Sequence, residues 1–185
     1  MKTKKQTIIF ISILFLIVFV SFFVYKKLTS MQNSSSILQA EISYPDSSKK
    51  QYIEILSNGK VKSIHSFTQS DSDAISVDPW IFEEYVNKNK EIYLTLKKYT
   101  LKDNKNNKVH DENYYKLVDK IAKDSKHSIG ILNLFKVRNK YYAFVKDNAG
   151  LSDEGNLYKF NSRTNKLIKI CTIDSGEIIK LKHTA

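Results

Sequence analysis

The fold class of this sequence is decided by two neighbouring stretches, DENYYKLVDKIAKDS (residues 111–125) and SIGILNLFKV (residues 128–137). In the first stretch, apolar residues recur at spacings of three and four with charged residues between them, which predicts an amphipathic helix. Its expected buried face consists of Tyr114, Leu117, Val118, Ile121 and Ala122. The second stretch is a short apolar run, which predicts a strand. We therefore expect the helix to pack on a sheet.

The chain after this helix is a series of short apolar runs separated by polar turns. Strands are predicted at 128–137, 141–146, 157–160, 166–173 and 177–181, with turns at 138–140 and at NSRTN (161–165). Connections this short require antiparallel neighbours. Cys171 lies inside one of these strands, where we expect a small core residue rather than a reactive thiol.

The chain before the helix is predicted to add a hairpin and several shorter elements. QYIEILS (51–57) and KVKSIHSF (60–67) flank Asn58-Gly59, a dipeptide that predicts a tight turn with two positive φ angles. A short strand at 41–44 is expected at a sheet edge, protected by Pro45. The remaining predicted elements are a polar loop at 70–76, a short helix that begins at Asp78-Pro79 and covers 80–88, one strand over 91–101 and a turn at 103–107. Together these elements predict an α+β domain, one mostly antiparallel β meander with one or two packed helices.

The N-terminal region contains TIIFISILFLIVFVSFFVY (residues 7–25), nineteen residues without a charge. At about 1.5 Å per residue, a helix of this length roughly spans the hydrocarbon core of a bilayer. A cleaved signal peptide is the alternative, but the run is long for one, and Lys26 and Lys27 follow it instead of a small-residue cleavage pattern. We therefore expect a single transmembrane anchor that contacts the lipid bilayer.

Flanking charges predict the orientation of this anchor. Lys2, Lys4 and Lys5 precede it together with the α-amino group, against two lysines after it, which favours an N-terminus inside the cell. The expected organisation is a cytoplasmic head (1–6), an anchor (7–25), a Ser-rich linker (26–40) and an extracytoplasmic α+β domain (41–185). The predicted location is the cell membrane, with a single pass and most of the chain outside.

The net charge of +11 suggests nucleic-acid binding at first sight, because 30 Lys and Arg residues face 19 Asp and Glu residues. Only Arg138 and Arg163 are arginines, although phosphate and base recognition favour the bidentate guanidinium. The basic residues are also scattered among acids, whereas nucleic-acid binding requires a concentrated patch. We therefore expect no nucleic-acid partner.

No motif in the sequence predicts a catalytic, cofactor or metal site. The four histidines, His65, His110, His127 and His183, lack the spacing of metal ligands. The loop from Asp147 to Gly155 gathers oxygen ligands of the kind that Ca²⁺ binds, but it lacks the alternating ligand series of a calcium loop. An ordinary turn is the favoured interpretation.

Tyrosine is abundant in the predicted strands, and some of these side chains are expected to face solvent. In a strand, adjacent residues such as Tyr141 and Tyr142 point to opposite faces, so we expect one member of this pair to be in the core and the other to be exposed or in an interface. The candidate partner-binding residues are Tyr93, Tyr99 and Tyr142.

In size, anchor and composition, the chain resembles the small membrane-anchored immunity or accessory proteins of Gram-positive bacteria. That resemblance implies a binding module with an extracytoplasmic protein partner rather than an enzyme. Two alternatives stay open. The lysines can instead bind anionic envelope polymers or lipid headgroups, where each basic residue contributes about 1 kcal/mol, or the chain is an enzyme without a recognisable motif.

Overall fold

The computed structural model describes residues 15–25, 34–44, 47–67, 71–78, 82–86, 92–96, 99–125, 129–147 and 153–184. Between Ser35 and Ser36 the chain divides into two units.

The described part of the first unit is a helix, α1, at residues 15–25. Its ten large apolar side chains are all between 52% and 77% exposed. Phe19 and Phe23 lie one turn apart with their ring centroids 4.9 Å from each other. Within the described ranges, no helix has both the length and the apolar character needed to cross a membrane. The first eight residues of the predicted anchor, 7–14, lie outside those ranges.

The described residues of the second unit form thirteen strands and one helix. They are β1 (Ser36–Tyr44), β2 (Ser47–Leu56), β3 (Val61–Ile64), β4 (Ser72–Asp73), β5 (Ile75–Asp78), β6 (Phe82–Val86), β7 (Ile92–Leu96), β8 (Thr100–Lys102), α2 (Glu112–Asp124), β9 (Ile129–Val137), β10 (Lys140–Asp147), β11 (Gly155–Asn161), β12 (Lys166–Ile173) and β13 (Glu177–His183).

Most of these strands belong to two antiparallel sheets. A five-stranded sheet has the order β3-β2-β1-β13-β4, and a six-stranded sheet has the order β12-β11-β10-β9-β5-β8. Within the part of the chain that the structure describes, the strands β6 and β7 pair only with each other. The unit is therefore α+β with antiparallel pairing, as the sequence predicts, but it contains more than one sheet rather than a single meander.

The two larger sheets pack face to face and enclose the first hydrophobic core. The five-stranded sheet contributes residues such as Leu38, Ile55 and Leu181, and the six-stranded sheet contributes residues such as Phe135 and Phe144. Buried Asn133 joins the sheets, because its side-chain amide donates to the carbonyl of Ile178 over 2.9 Å. Cys171 lies in this core with 4% exposure, which confirms the prediction for it.

The second core lies on the opposite face of the six-stranded sheet, where α2 packs. All five residues predicted for the apolar face of the helix are buried. They meet side chains of β9 and β10 such as Leu134 and Ala143. The side chain of Asp111, the N-cap residue, accepts a hydrogen bond from the backbone N–H of Asn113 over 3.0 Å, and Ser125 is the C-cap residue. The predicted helix and its packing on a sheet are confirmed.

The position of β10 between the two cores explains why residues 141–145 are all apolar. Tyr142 and Phe144 point into the first core, while Tyr141, Ala143 and Val145 point into the second. A strand covered on both faces needs apolar residues at successive positions. The expectation that one tyrosine of the Tyr141-Tyr142 pair is exposed is therefore wrong, since both are buried.

Several boundaries differ from the predicted ones. The linker predicted at 26–40 is wrong in its last five residues, because Ser36–Ala40 already belong to β1 and place Leu38 and Ala40 in the core. The strand β1 also lies between β2 and β13 and not at a sheet edge, while Pro45 is outside the described residues. The hairpin of β2 and β3 is confirmed, but in its turn only Gly59 has a positive φ, +80°.

The short helix predicted from Asp78 is wrong. Asp78 ends β5, and Phe82–Val86 form a strand that pairs with β7. A nine-residue helix is marginal on its own, whereas aromatic and β-branched residues favour a strand once a partner strand is present. The single strand predicted over 91–101 is instead the two strands β7 and β8, and the loop at 70–76 contains β4 and the start of β5.

Candidate functional site

The three tyrosines proposed as partner contacts lie in different environments. Tyr142 is 4% exposed inside the first core, where burial raises the pKa of its hydroxyl. Tyr99 is half-buried, and its hydroxyl donates to the carbonyl of Tyr115 and to Asp119, each over 3.2 Å. Tyr93 belongs to β7, but its side chain lies outside the described part of the structure. The described residues therefore contain no shared surface formed by these tyrosines.

A polar cluster joins the start of α2 to the six-stranded sheet. Asp111 accepts hydrogen bonds from Lys136 over 2.9 Å and from the hydroxyl of Tyr141 over 2.9 Å. Burial by itself would raise the pKa of Asp111, but these two donors and the backbone N–H of Asn113 outweigh it and hold the pKa below its usual value. The Tyr141 ring also contacts Tyr114 edge-on, with centroids 5.1 Å apart. The cluster fastens the helix to the sheet.

A second polar cluster lies on the face of the five-stranded sheet that points away from the first core. Glu41 is only 4% exposed there, with Lys50 2.5 Å from one carboxylate oxygen and Lys180 3.5 Å from the other. The hydrogen bond to Glu41 raises the pKa of Lys50. On the same face, Tyr52 stacks on Phe67 at 5.9 Å. One buried carboxylate thus pairs with two lysines, and we interpret the cluster as a structural ion-pair network.

The residues considered for metal or nucleophilic chemistry do not come together. Within the described ranges, no three His, Cys, Asp or Glu side chains lie close enough to hold a metal ion. His65 and His110 are exposed, His183 is partly buried, and His127 is outside the described residues. Most of the loop considered for Ca²⁺, 148–152, is also outside them, and Asp153 pairs with Lys146 at 3.4 Å. Burial raises the pKa of Cys171 to about 12, which opposes formation of a thiolate.

The edges of the two packed sheets meet at the hairpin turn of β2 and β3. At Gly59, a Cβ atom would lie 2.7 Å from the backbone oxygen of Ile170, so the turn contacts β12 directly. Because this position also has φ +80°, only glycine allows both the turn and the contact. The outermost strand of one sheet, β3, is thereby held beside the outermost strand of the other, β12.

Two exposed aliphatic side chains flank this contact. Among the described residues of the second unit, Val61 (39% exposed) and Ile168 (49% exposed) are the most exposed large apolar side chains. Each lies two residues along its strand from the contacting pair, Gly59 and Ile170. At about 3.3 Å per residue, both are within about 7 Å of the contact. Exposed lysines adjoin them in the sequence, namely Lys60 and Lys62 beside Val61 and Lys169 beside Ile168.

We call Val61, Ile168 and these three lysines the edge patch. Sequence reasoning missed it, because residues 61 and 168 are joined only by the packing of the two sheets. The available signal is weak: an apolar residue lies next to lysine in KVK (60–62) and in LIK (167–169), at positions where strands are predicted. The tyrosines are favoured by the sequence because they are abundant in the predicted strands and some are expected to face solvent, whereas Tyr114, Tyr141 and Tyr142 are buried in the cores.

The chain was also compared with known proteins. No family model, no curated protein and no solved structure matches it.

Proposed function

We propose that this protein is a membrane-anchored binding module outside the cytoplasm, which holds a protein partner through the edge patch. The observation that carries the proposal is the exposure of Val61 and Ile168 on either side of the contact between Gly59 and Ile170. A role of the immunity or envelope-accessory type fits a small domain of this kind on a single anchor.

Support for the anchor comes from the exposed side chains of α1. Exposure of ten large apolar side chains to water is unfavourable. Full burial of one such side chain contributes about 1.5 to 3 kcal/mol relative to its exposure. A bilayer would supply the apolar surroundings that these side chains require. The charge pattern before and after residues 7–25 favours an N-terminus inside the cell, so that the second unit lies outside.

Support for a protein partner comes from the composition of the edge patch. Exposed apolar residues on outer strands are a common docking surface, because a partner can add a strand or bury the side chains. The surrounding lysines disfavour pairing with a second copy of the same edge, since like charges would face each other. A partner with apolar and acidic side chains satisfies both features.

The test uses the full chain inserted into lipid nanodiscs and exposed to envelope and secreted proteins of the source organism. The patch variant carries Val61→Asp and Ile168→Asp, and the control carries Lys105→Asp, an equally exposed site in the turn between β8 and α2. We expect one stoichiometric protein to be retained by the wild type and the control at about 0.15 M salt, and to be lost from the patch variant.

Circular dichroism of both variants shows whether they fold. If the folded patch variant retains the same protein in the same amount as the wild type, the edge patch is not the binding surface. If the wild type retains only polyanions that high salt elutes, the partner is not a protein, and binding of anionic polymers becomes the better description.

A further inference from the structure

The only two arginines of the chain occupy the tips of neighbouring hairpins. Arg138 lies in the turn between β9 and β10, and Arg163 lies in the turn between β11 and β12. Since β10 pairs with β11 through Tyr141 and Phe160, the two turns lie at the same end of the six-stranded sheet. Lys140 and Lys166 begin the strands that follow the two turns.

We call Arg138, Lys140, Arg163 and Lys166 the basic end. All four side chains are exposed, and none forms an ion pair with another residue in the described part of the chain. Asp71 also lies toward this end, where it accepts a hydrogen bond from the N–H of His183, but four exposed cations outnumber it and give this end a positive potential. Sequence reasoning missed this feature, because the basic residues look scattered when they are read along the chain.

Acidic residues lie at the other end of the same four strands. The pairing of Gly155 with Ile173 places the connection before β11 beside the connection after β12. The described residues of these two connections and the start of β13 carry Asp153, Glu154, Asp174 and Glu177. The charge of this part of the domain is therefore separated along the strand direction.

The chain enters the second unit at the basic end. The side chain of Asn133 in β9 donates a hydrogen bond to the carbonyl of Ile178 in β13. Three residues later in β9, the N–H of Lys136 donates to the hydroxyl of Ser72, and Ser72 pairs with Leu181 of β13. The strands β9 and β13 therefore run in the same direction, and β13 finishes near the turn that holds Arg138. Because the start of β1 pairs with the last residues of β13, residue 36 lies at this end as well.

The backbone conformation of Arg138 disfavours arginine at this position. Arg138 and Asn139 have φ values of +47° and +60°, as a two-residue hairpin turn requires. Asn and Gly adopt this conformation readily, whereas arginine does so at a cost in stability. A residue held in an unfavourable conformation at an exposed tip points to a role outside the fold.

We propose that the basic end docks on the anionic headgroups of the bilayer that holds α1. The inference rests on the anchor of the proposed function. Residues 26–35 reach at most about 36 Å when fully extended, so the point where the chain enters the domain stays within that distance of the anchor. A short Ser-rich connection keeps the local concentration of the domain at that surface high. Positive charge facing negative headgroups then selects this end over the acidic one.

The test measures energy transfer in lipid nanodiscs that contain the full chain and an acceptor dye on the lipid headgroups. A donor dye is placed on Ser162→Cys at the basic end, or on Ser175→Cys at the opposite end; both positions are exposed. In discs with one quarter phosphatidylglycerol, we expect strong transfer from position 162 and weak transfer from position 175. In phosphatidylcholine discs, or at about 0.5 M salt, transfer from position 162 should fall.

A charge-removal variant, Arg138→Asn with Arg163→Asn, tests the arginines directly. Asn suits the turn at position 138, so this variant keeps the fold. If each charge contributes as basic residues near membranes usually do, the ratio of docked to undocked domain falls about 30-fold at low salt. The control variant, Lys116→Asn with Lys123→Asn on α2, removes the same charge elsewhere and should leave the transfer unchanged.

Equal transfer from positions 162 and 175 in anionic discs would overturn the docking, as would a charge-removal variant that behaves like the wild type. A chain that does not co-purify with the discs at all would overturn the anchor, and with it the docking. Failure of the docking and failure of the anchor are distinguishable, because energy transfer is measured only on chains that have inserted into a disc.

Discussion

Asp111 combines two structural roles in one side chain. It caps the first turn of α2 through the N–H of Asn113, and it accepts hydrogen bonds from Lys136 and Tyr141 of the neighbouring sheet. The ammonium group of Lys136 also lies 5.0 Å from the centre of the Tyr141 ring. The residue therefore couples a local feature, the helix cap, to a contact that exists only in the folded domain.

Two substitutions of Asp111 separate these roles. Asn caps helices as well as Asp does, so Asp111→Asn keeps the cap and loses the charge that pairs with Lys136; we expect a loss of about 1 kcal/mol. Asp111→Ala loses the cap and both acceptors, and we expect a loss of about 2 to 3 kcal/mol. Denaturant unfolding of both variants measures the difference. Equal losses would show that the cap contributes nothing beyond the charge.

The same residue predicts a pH dependence. Its pKa in the folded state lies below its unfolded value, so its contribution to stability is complete above about pH 4 and disappears as the pH falls through the folded-state pKa. We expect the stability difference between wild type and Asp111→Asn to shrink below about pH 4. A difference that stays constant from pH 7 to pH 2.5 would contradict the assigned shift.

Cys171 is expected to report on unfolding. It is 4% exposed, and burial raises its pKa to about 12, so the native thiol is protonated at neutral pH and shielded from reagents. Labelling by a maleimide should be slow in buffer and fast in denaturant, with a rate that follows the unfolded fraction. Rapid labelling of the native chain would show that the edge of the first core opens locally.

At the scale of elements, the hairpin of β9 and β10 contains a residue that is poorly suited to its turn. Arg138→Asn places a residue that tolerates positive φ at the first position of that turn. We expect it to stabilise the domain by about 0.5 to 1 kcal/mol, read from the denaturation midpoint at unchanged m-value. Asn139→Ala at the second position is the matched control and should destabilise. No gain from Arg138→Asn would mean that the φ value costs nothing.

The elements also differ in how strongly their own residues specify them. The helix α2 carries its cap, its apolar face and its end within fifteen residues, so it is recognisable without the rest of the chain. The strand β6 carries no such signals, and FEEYV becomes a strand because β7 pairs with it. Whether an ambiguous segment forms a helix or a strand thus depends on whether a partner strand is present.

At the scale of the whole molecule, both hydrophobic cores lie within the second unit. The first core runs in sequence from Leu38 to Leu181, and the second also uses only residues of this unit. We therefore expect residues 34–185, expressed alone, to fold and to unfold in one cooperative transition, observed by circular dichroism and tyrosine fluorescence together. Separate transitions for the two signals, or a molten state, would show that the N-terminal region contributes to the core.

The sequence by itself determined the features that depend on neighbours a few residues apart. The buried face of α2, the strands from β9 to β13 and the turns at 138–139 and 162–165 follow from periodicity and turn chemistry, which are local properties. The same reasoning identifies the uncharged run at 7–25 and assigns Cys171 to a core.

The tertiary structure alone decided which surfaces these elements present. Tyr142 is buried because a second sheet covers the other face of β10, and neither sheet predicts the other from its own residues. The strands that carry Val61 and Ile168 lie side by side, and the turns that carry Arg138 and Arg163 lie at one end of a sheet, only because of strand order and sheet packing. Such contacts join residues far apart in the chain, so they depend on the packing of the complete fold, and periodicity within a segment carries no information about them.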